Sequence, residues 1–252
     1  MDNKIIFSDV DGTLIYKGEP FNSVRFPVLL EKLQNSGVFF GVCTGRSYCE
    51  LEPILRPDTD SIVSICCEGA CTYESGKLTA GLPIDGRTVE NFFRLADRLN
   101  AALELHTERN AYLYRAPFPL FSKESKRLTT VEKIDSIPKS PVYKVALYSE
   151  RYKADTGSFS DVRLSYCADG ICEYVNKDAD KHSAVESFLH SAGLTFGDLL
   201  YFGDGENDKE LLVHSARSFT TYCAAPSVFS LAKEHTRDVI GTIIRLCGEK
   251  AN

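Results

Sequence analysis

Lys4-Ile5-Ile6-Phe7-Ser8-Asp9-Val10-Asp11-Gly12-Thr13-Leu14 is the stretch from which the fold is read. A short apolar run that ends in acids and a glycine has the pattern of a buried strand opening into a loop. Working outward, apolar residues at helical spacing over Val24 to Ser36 stop at Gly37. A second continuous apolar run, Val38 to Cys43, then leads into Thr44-Gly45-Arg46. A helix over Tyr48 to Leu55 and a third run, Ser61 to Cys67, give a βαβαβ order with parallel strands. From Pro83 to Asp178 the rhythm changes. Runs such as Val142 to Tyr148, Val162 to Cys167 and Ile171 to Val175 predict antiparallel, half-exposed strands, with Ala168-Asp169-Gly170 as a hairpin turn. The α/β rhythm then returns with a helix over Lys181 to Ala192, a strand over Leu199 to Phe202, a helix after Asp208 and a strand over Ser218 to Tyr222. The expected class is α/β. Residues 1–82 and 179–252 form a discontinuous parallel-sheet core, and residues 83–178 are inserted into it.

The composition narrows the function classes. A chain of 252 residues with 43% hydrophobic and 25% charged residues is an ordinary globular protein able to bury a sizeable core. Its net charge of -6 and the lack of any basic run argue against a nucleic-acid binder, since phosphate-backbone affinity is carried by clustered Lys and Arg. No stretch is long and apolar enough to span a bilayer, and the amino terminus lacks the form of a secretory signal. The nine cysteines show no paired CxxC spacing, which predicts reduced thiols in a cytoplasmic compartment rather than a disulfide framework or a zinc site. Cys66, Cys67 and Cys71 read as small buried apolar residues. The oligomeric state is left open.

Chemistry gathers at the predicted strand ends. Asp9 and Asp11 lie one residue apart where the first strand stops, the edge at which parallel sheets bind ligands. Taken alone, they could be a solvated turn. Gly203-Asp204-Gly205-Glu206-Asn207-Asp208 occupies the equivalent place after a later strand; alone, it would serve as an acidic helix start. Together, acids from two strand ends repel unless a hard cation such as Mg²⁺ lies between them. Thr44 and Gly45 end the second strand, where a hydroxyl and backbone amides can grip phosphoryl oxygens, and Lys181 can supply the positive charge that phosphoryl transfer requires.

In this order the four clusters resemble the haloacid dehalogenase superfamily of phosphotransferases, and more narrowly its Cof-type phosphatases. Asp9 to Leu14 match D-x-D-G-T-L, Thr44 to Arg46 match T-G-R, Lys181 to Ala184 match the lysine motif, and Gly203 to Asp208 match G-D-G-x-N-D. The resemblance covers the whole chain. It implies a Rossmann-like core with an inserted α/β cap, and Mg²⁺-dependent hydrolysis of a small phosphorylated metabolite through an aspartyl phosphate, the substrate class extending to sugar phosphates. By the same resemblance Asp9 is the nucleophile and Asp11 the general acid and base. Asp9, the backbone carbonyl of Asp11 and Asp204 hold the metal, with Asp208 orienting that shell and Lys181. Thr44, Gly45, Lys181 and Asn207 bind the phosphoryl oxygens. Three stretches depart from the family pattern: Glu68-Gly69-Ala70 replaces Asn-Gly-Ala, Cys223-Ala224-Ala225-Pro226 replaces an Asn-Ala pair, and the usual closing motif is not recognisable around Arg237 to Gly241.

Other readings share the same residues. A phospho-acceptor signalling module also groups acids, a hydroxyl and a Lys around Mg²⁺, but Asp11, two positions past Asp9, favours hydrolysis. A phosphomutase would use the same chemistry with a bisphosphorylated activator. A dinucleotide binder is disfavoured because Gly203-x-Gly205 lacks the third glycine of that fingerprint. His182 reads as a helix-surface residue without a metal role. Tyr112, Tyr114, Phe118 and Phe121 could line a pocket or fill the insertion's core.

Overall fold

The computed structural model describes residues 4–115, 131–150, 152, 154 and 159–248. Strand β1 (Ile5–Ser8) is followed by helix α1 (Arg25–Asn35), β2 (Phe39–Cys43), α2 (Tyr48–Leu55) and β3 (Val63–Cys66). These elements lie within a residue or two of the expected ones, because each follows from a continuous apolar run or a helical stripe such as Phe26, Leu29 and Leu33. β4 (Cys71–Glu74) and β5 (Lys77–Gly81) form a hairpin that the sequence reading leaves out. They extend the sheet antiparallel beyond β3. The later core elements are α4 (Lys181–Ser191), β12 (Leu199–Phe202), α5 (Lys209–His214), β13 (Arg217–Thr221), α6 (Pro226–Phe229), β14 (Glu234–Thr236) and α7 (Val239–Gly248).

The resulting eight-stranded sheet has the order β14-β13-β12-β1-β2-β3-β4-β5, and its six strands from β14 to β3 run parallel. Side-chain alternation buries it on both faces. Ile6, Leu200 and Phe202 pack with residues of α1, α2 and α7, while Ile5, Phe7, Leu199 and Tyr201 pack with residues of α4 and α5. Each such fully buried side chain contributes roughly 1.5–3 kcal/mol. From β1 the chain moves to one side, to β2 and β3, and returns on the other side to β12. The crevice at that reversal is where ligands of open α/β sheets gather. The register Ser8↔Phe202 puts Asp9 and Gly203 at that edge together, and the Asp9 amide donates to the Phe202 carbonyl at 2.8 Å.

Residues between the two core segments form a second, six-stranded sheet of order β10-β11-β9-β6-β7-β8. Its strands are β6 (Ala102–His106), β7 (Ala111–Tyr114), β8 (Val131–Ile134), β9 (Lys144–Tyr148), β10 (Val162–Ala168) and β11 (Ile171–Asn176). Pairing is antiparallel, as expected, except between β7 and β8. The strand-dominated reading also omits helix α3 (Gly86–Leu99), capped by the Asp85 carboxylate, which accepts from the Arg87 amide at 2.8 Å. Its Val89, Phe92, Phe93 and Ala96 pack on Leu103, Leu105, Val145, Leu147 and Tyr174. This helix corrects the expectation of half-exposed strands: β6 is buried throughout and β9 nearly so. The opposite face of the sheet carries Glu104, His106, Lys144 and Glu173.

Asp169 and Gly170, at φ 53° and 80°, make the predicted β10–β11 hairpin turn, a left-handed pair suited to the twist of a two-residue loop. Across that hairpin Cys167 and Cys172 are register partners and are joined as a disulfide, contrary to the expectation of reduced thiols throughout. No spacing motif announces such a pair, since strand register alone brings it together. Cys66, Cys67 and Cys71 are free and buried, as expected. Tyr114 packs against Phe93 in the second core, and Phe118 and Phe121 lie outside the described residues. No helix among the described residues is long and apolar enough to cross a membrane.

Candidate active site

Four stretches of chain meet at the carboxyl edge of the parallel strands. Lys181, 1% exposed at the start of α4, donates to Asp9 Oδ1 at 2.7 Å and to Asp208 Oδ1 at 2.8 Å. Tyr201 also donates to Asp208 Oδ1, at 2.6 Å, while Asp208 Oδ2 accepts from the amides of Asp204 and Gly205 at 3.1 and 2.9 Å. Asp208 therefore fastens the Gly203–Asp208 loop to Lys181. Thr13 donates its hydroxyl proton to Asp204 Oδ1, tying the first acidic loop to the second. Gly12 allows their close approach: its φ is +91°, and a Cβ there would lie 2.2 Å from Asp204 Oδ2.

Carboxylate oxygens of Asp9, Asp204 and Asp208 lie within 4.8 Å of one another. Three carboxylates against one ammonium leave two negative charges uncovered, and the donors are hard oxygens. Burial raises Asp9 well above the usual carboxylate range; Lys181 opposes this, and Asp208 and Asp204 reinforce it. Asp204 is raised for the same first reason, burial. Burial works against the Lys181 charge, but Asp208 and Asp9 outweigh it and hold its value well above that of a free lysine. A divalent cation fits this charge balance and donor set.

The other expected residues are placed less uniformly. Both Asp11 oxygens are taken by Arg46, whose Nε and Nη2 donate at 2.7 and 2.6 Å. Asn207 donates to both oxygens of Glu68, at 2.9 and 2.8 Å. Glu68 is buried in a left-handed conformation at φ 58°, and its carboxylate lies so close over Gly45 that a Cβ there would be 2.5 Å from Oε1. Thr44, 1% exposed, accepts from the Arg46 amide at 3.2 Å.

These groups line a cavity of about 390 Å³, whose wall also includes Glu50 of α2 and Lys144, Arg163, Tyr166 and Glu173 of the second sheet. None of these was singled out in the sequence. A charged residue inside an apolar run, as in Tyr143-Lys144-Val145-Ala146, is the signal that could have found Lys144. Tyr112 and Tyr114 do not line this cavity. Lys144 donates to Glu50 Oε2 at 2.8 Å and reaches the Gly45 carbonyl at 3.4 Å, so it joins the second sheet to the turn that follows β2.

Behind Lys144 sits His106, 3.1 Å from Glu104 and 4.0 Å from Glu50. Burial pushes the imidazolium down and Lys144 pushes the same way, but Glu104 and Glu50 outweigh both and hold it well above the ordinary value. An unfolded histidine titrates near ~6.5. The protonated ring therefore contributes fully below about pH 6.5, and that contribution is lost as pH rises through the higher folded value. Melting temperature is expected to fall as pH rises through that folded value, with His106→Gln reducing the slope. An unchanged slope in the variant would remove His106 as its source.

A family profile described as haloacid dehalogenase-like hydrolase matches residues 6–239. The HMP-PP phosphatase of Yersinia pseudotuberculosis is 26% identical, over 87% of this chain and 84% of that protein. Among solved structures, a haloacid dehalogenase-like hydrolase from Bacteroides thetaiotaomicron superposes with a TM-score of 0.83 at 18% identity, covering 97% of this chain and 99% of that one. The HAD subclass IIB sugar phosphatase BT4131 does so with a TM-score of 0.75 at 17% identity, covering 96% and 98%.

Proposed function

The chain belongs to the haloacid dehalogenase-like hydrolases, and from that premise we propose that it is a Mg²⁺-dependent phosphatase of a small phosphate monoester, with residues 83–178 as the cap over its site. The observation that carries this reading is the uncovered charge of Asp9, Asp204 and Asp208 around Lys181, beside a cavity walled by both sheets. The phosphatases named among its relatives favour a phosphorylated metabolite, and a sugar phosphate is of the right class.

In this mechanism Asp9 supplies the attacking carboxylate oxygen. Its bond to phosphorus forms as the ester P–O bond breaks, and Asp11, protonated from solvent once Arg46 leaves it, gives that proton to the leaving oxygen. Water then attacks the aspartyl phosphate while Asp11 takes up the water's proton, releasing Asp9 and inorganic phosphate. We read the Arg46 fork as the resting partner of Asp11, drawn off toward the incoming phosphoryl anion. Thr44, the Gly45 amide and Lys181 hold the phosphoryl oxygens, and Asn207 joins them once Glu68 releases it. Asp9, Asp204 and the Asp11 backbone carbonyl would hold Mg²⁺, which neutralises charge on the phosphoryl group when bound. Asp208 keeps Lys181 and the Asp204 loop in place.

The test is hydrolysis of p-nitrophenyl phosphate and of a panel of phosphorylated metabolites. Turnover is expected with Mg²⁺ and none after EDTA, with recovery on adding Mg²⁺ back. No turnover on any ester would reject the proposal. Glu68 gives a second expectation. Its carboxylate engages Asn207 and places a negative charge where a phosphoryl anion must settle, so Glu68→Asn should raise kcat/KM on simple esters by about tenfold. A fall would mean that Glu68 supports catalysis.

A further inference from the structure

The helix that delivers Lys181 carries a second polar group away from the cavity. His182, a helix-surface residue as expected, is half-buried; it stacks on Phe196 with ring centroids 4.8 Å apart and lies 5.0 Å from the His214 ring. On α5, Glu210 and His214 are one helical turn apart and both exposed. One donor atom from each of His182, Glu210 and His214 lies within 4.8 Å of the others, in a cluster distinct from the three aspartates. His182 Nε2 is buried without a hydrogen-bond partner among the described residues. A stack on Phe196 does not account for that nitrogen, because a phenyl ring would stack as well and leave no buried polar atom unsatisfied.

We propose that His182, Glu210 and His214 bind a borderline transition cation of the Zn²⁺ or Co²⁺ class. Two imidazole nitrogens and one carboxylate suit such ions, whereas Mg²⁺ takes hard oxygens. Three protein donors leave room for water, which marks an exchangeable ion rather than a closed structural one. With neutral rings the site carries one negative charge, and the exposed side chains give the ion a path from solvent. His182 follows Lys181 and Glu210 lies two residues after Asp208, so a bound ion clamps together the two elements whose side chains meet at the Lys181 ammonium. The proposal stands independently of the phosphatase reading.

The experiment uses the full chain, stripped by chelator and then kept in saturating Mg²⁺ to fill the oxygen site. Zn²⁺ is titrated calorimetrically, and Co²⁺ is followed by its visible absorption, which reports nitrogen ligation. One equivalent is expected. His214→Ala and His182→Phe should each weaken it at least about tenfold, and Asp204→Asn should leave it intact. His182→Phe keeps a ring on Phe196, so a loss there is not a loss of packing, and circular dichroism checks that each variant is folded. No Zn²⁺ uptake in Mg²⁺, uptake unchanged by both histidine variants, or uptake lost in Asp204→Asn would each overturn the site.

Discussion

Asp9→Asn is expected to abolish turnover, by about 10⁴-fold or more, in a chain that folds at least as well as the original. The amide has the volume of the carboxylate but cannot attack phosphorus. Its effect on stability follows from the charge balance. Because Asp9 is raised well above its unfolded value by burial and by Asp208 and Asp204, its ionised form destabilises the metal-free protein at neutral pH, and that cost fades as pH falls. The neutral amide removes the cost and leaves Lys181 paired with Asp208. Urea unfolding without metal should show equal or greater stability, and the gain conferred by Mg²⁺ should shrink. Activity retained in this variant would remove the covalent route, whereas a large loss of metal-free stability would contradict the charge argument.

Lys181→Met is expected to damage both stability and catalysis. The ammonium is buried between Asp9 and Asp208, and removing one partner of such a pair leaves the others uncompensated, typically at about 3–5 kcal/mol. For a chain of this size that lowers the melting temperature by roughly 10 °C. Loss of a charged donor to the phosphoryl oxygens should cut kcat by about 10²–10³-fold as well. Mg²⁺ should recover part of the stability, since the carboxylates left behind can still take a cation, and Asp208→Asn in the same chain should recover more. Scanning calorimetry with and without Mg²⁺ checks this. A melting temperature within a degree of the original would mean that the ammonium and carboxylates do not depend on one another as described.

The core was legible because its signals are local. Continuous apolar runs ending in Asp9, Thr44 and Gly203 give both the strands and the edge at which the site forms. α3 is masked by its strand-like neighbours in sequence, although Asp85 and the stripe Val89, Phe92, Phe93, Ala96 carry a helix signal of their own. β4 and β5 are short and polar at one end, and they are held by pairing rather than by pattern. At the site, spacing identified which residues converge but not how they are partnered. The Arg46 fork on Asp11, the Glu68 clasp on Asn207 and the Lys144 bridge to Glu50 each join residues 35 or more positions apart, and nothing in the spacing of a single chain encodes them.

Gly12 shows how far a constraint can extend beyond the atoms that react. It has no side chain, yet any side chain there would collide with Asp204 and strain a backbone that only glycine adopts freely. A saturation screen for activity should therefore score position 12 as intolerant to every replacement, alanine included, and so as indistinguishable from the nucleophile in such data. Urea unfolding of the purified variants without metal separates the two: Asp9→Asn keeps its stability, whereas a side chain at position 12 lowers it by pushing on Asp204 and straining the backbone.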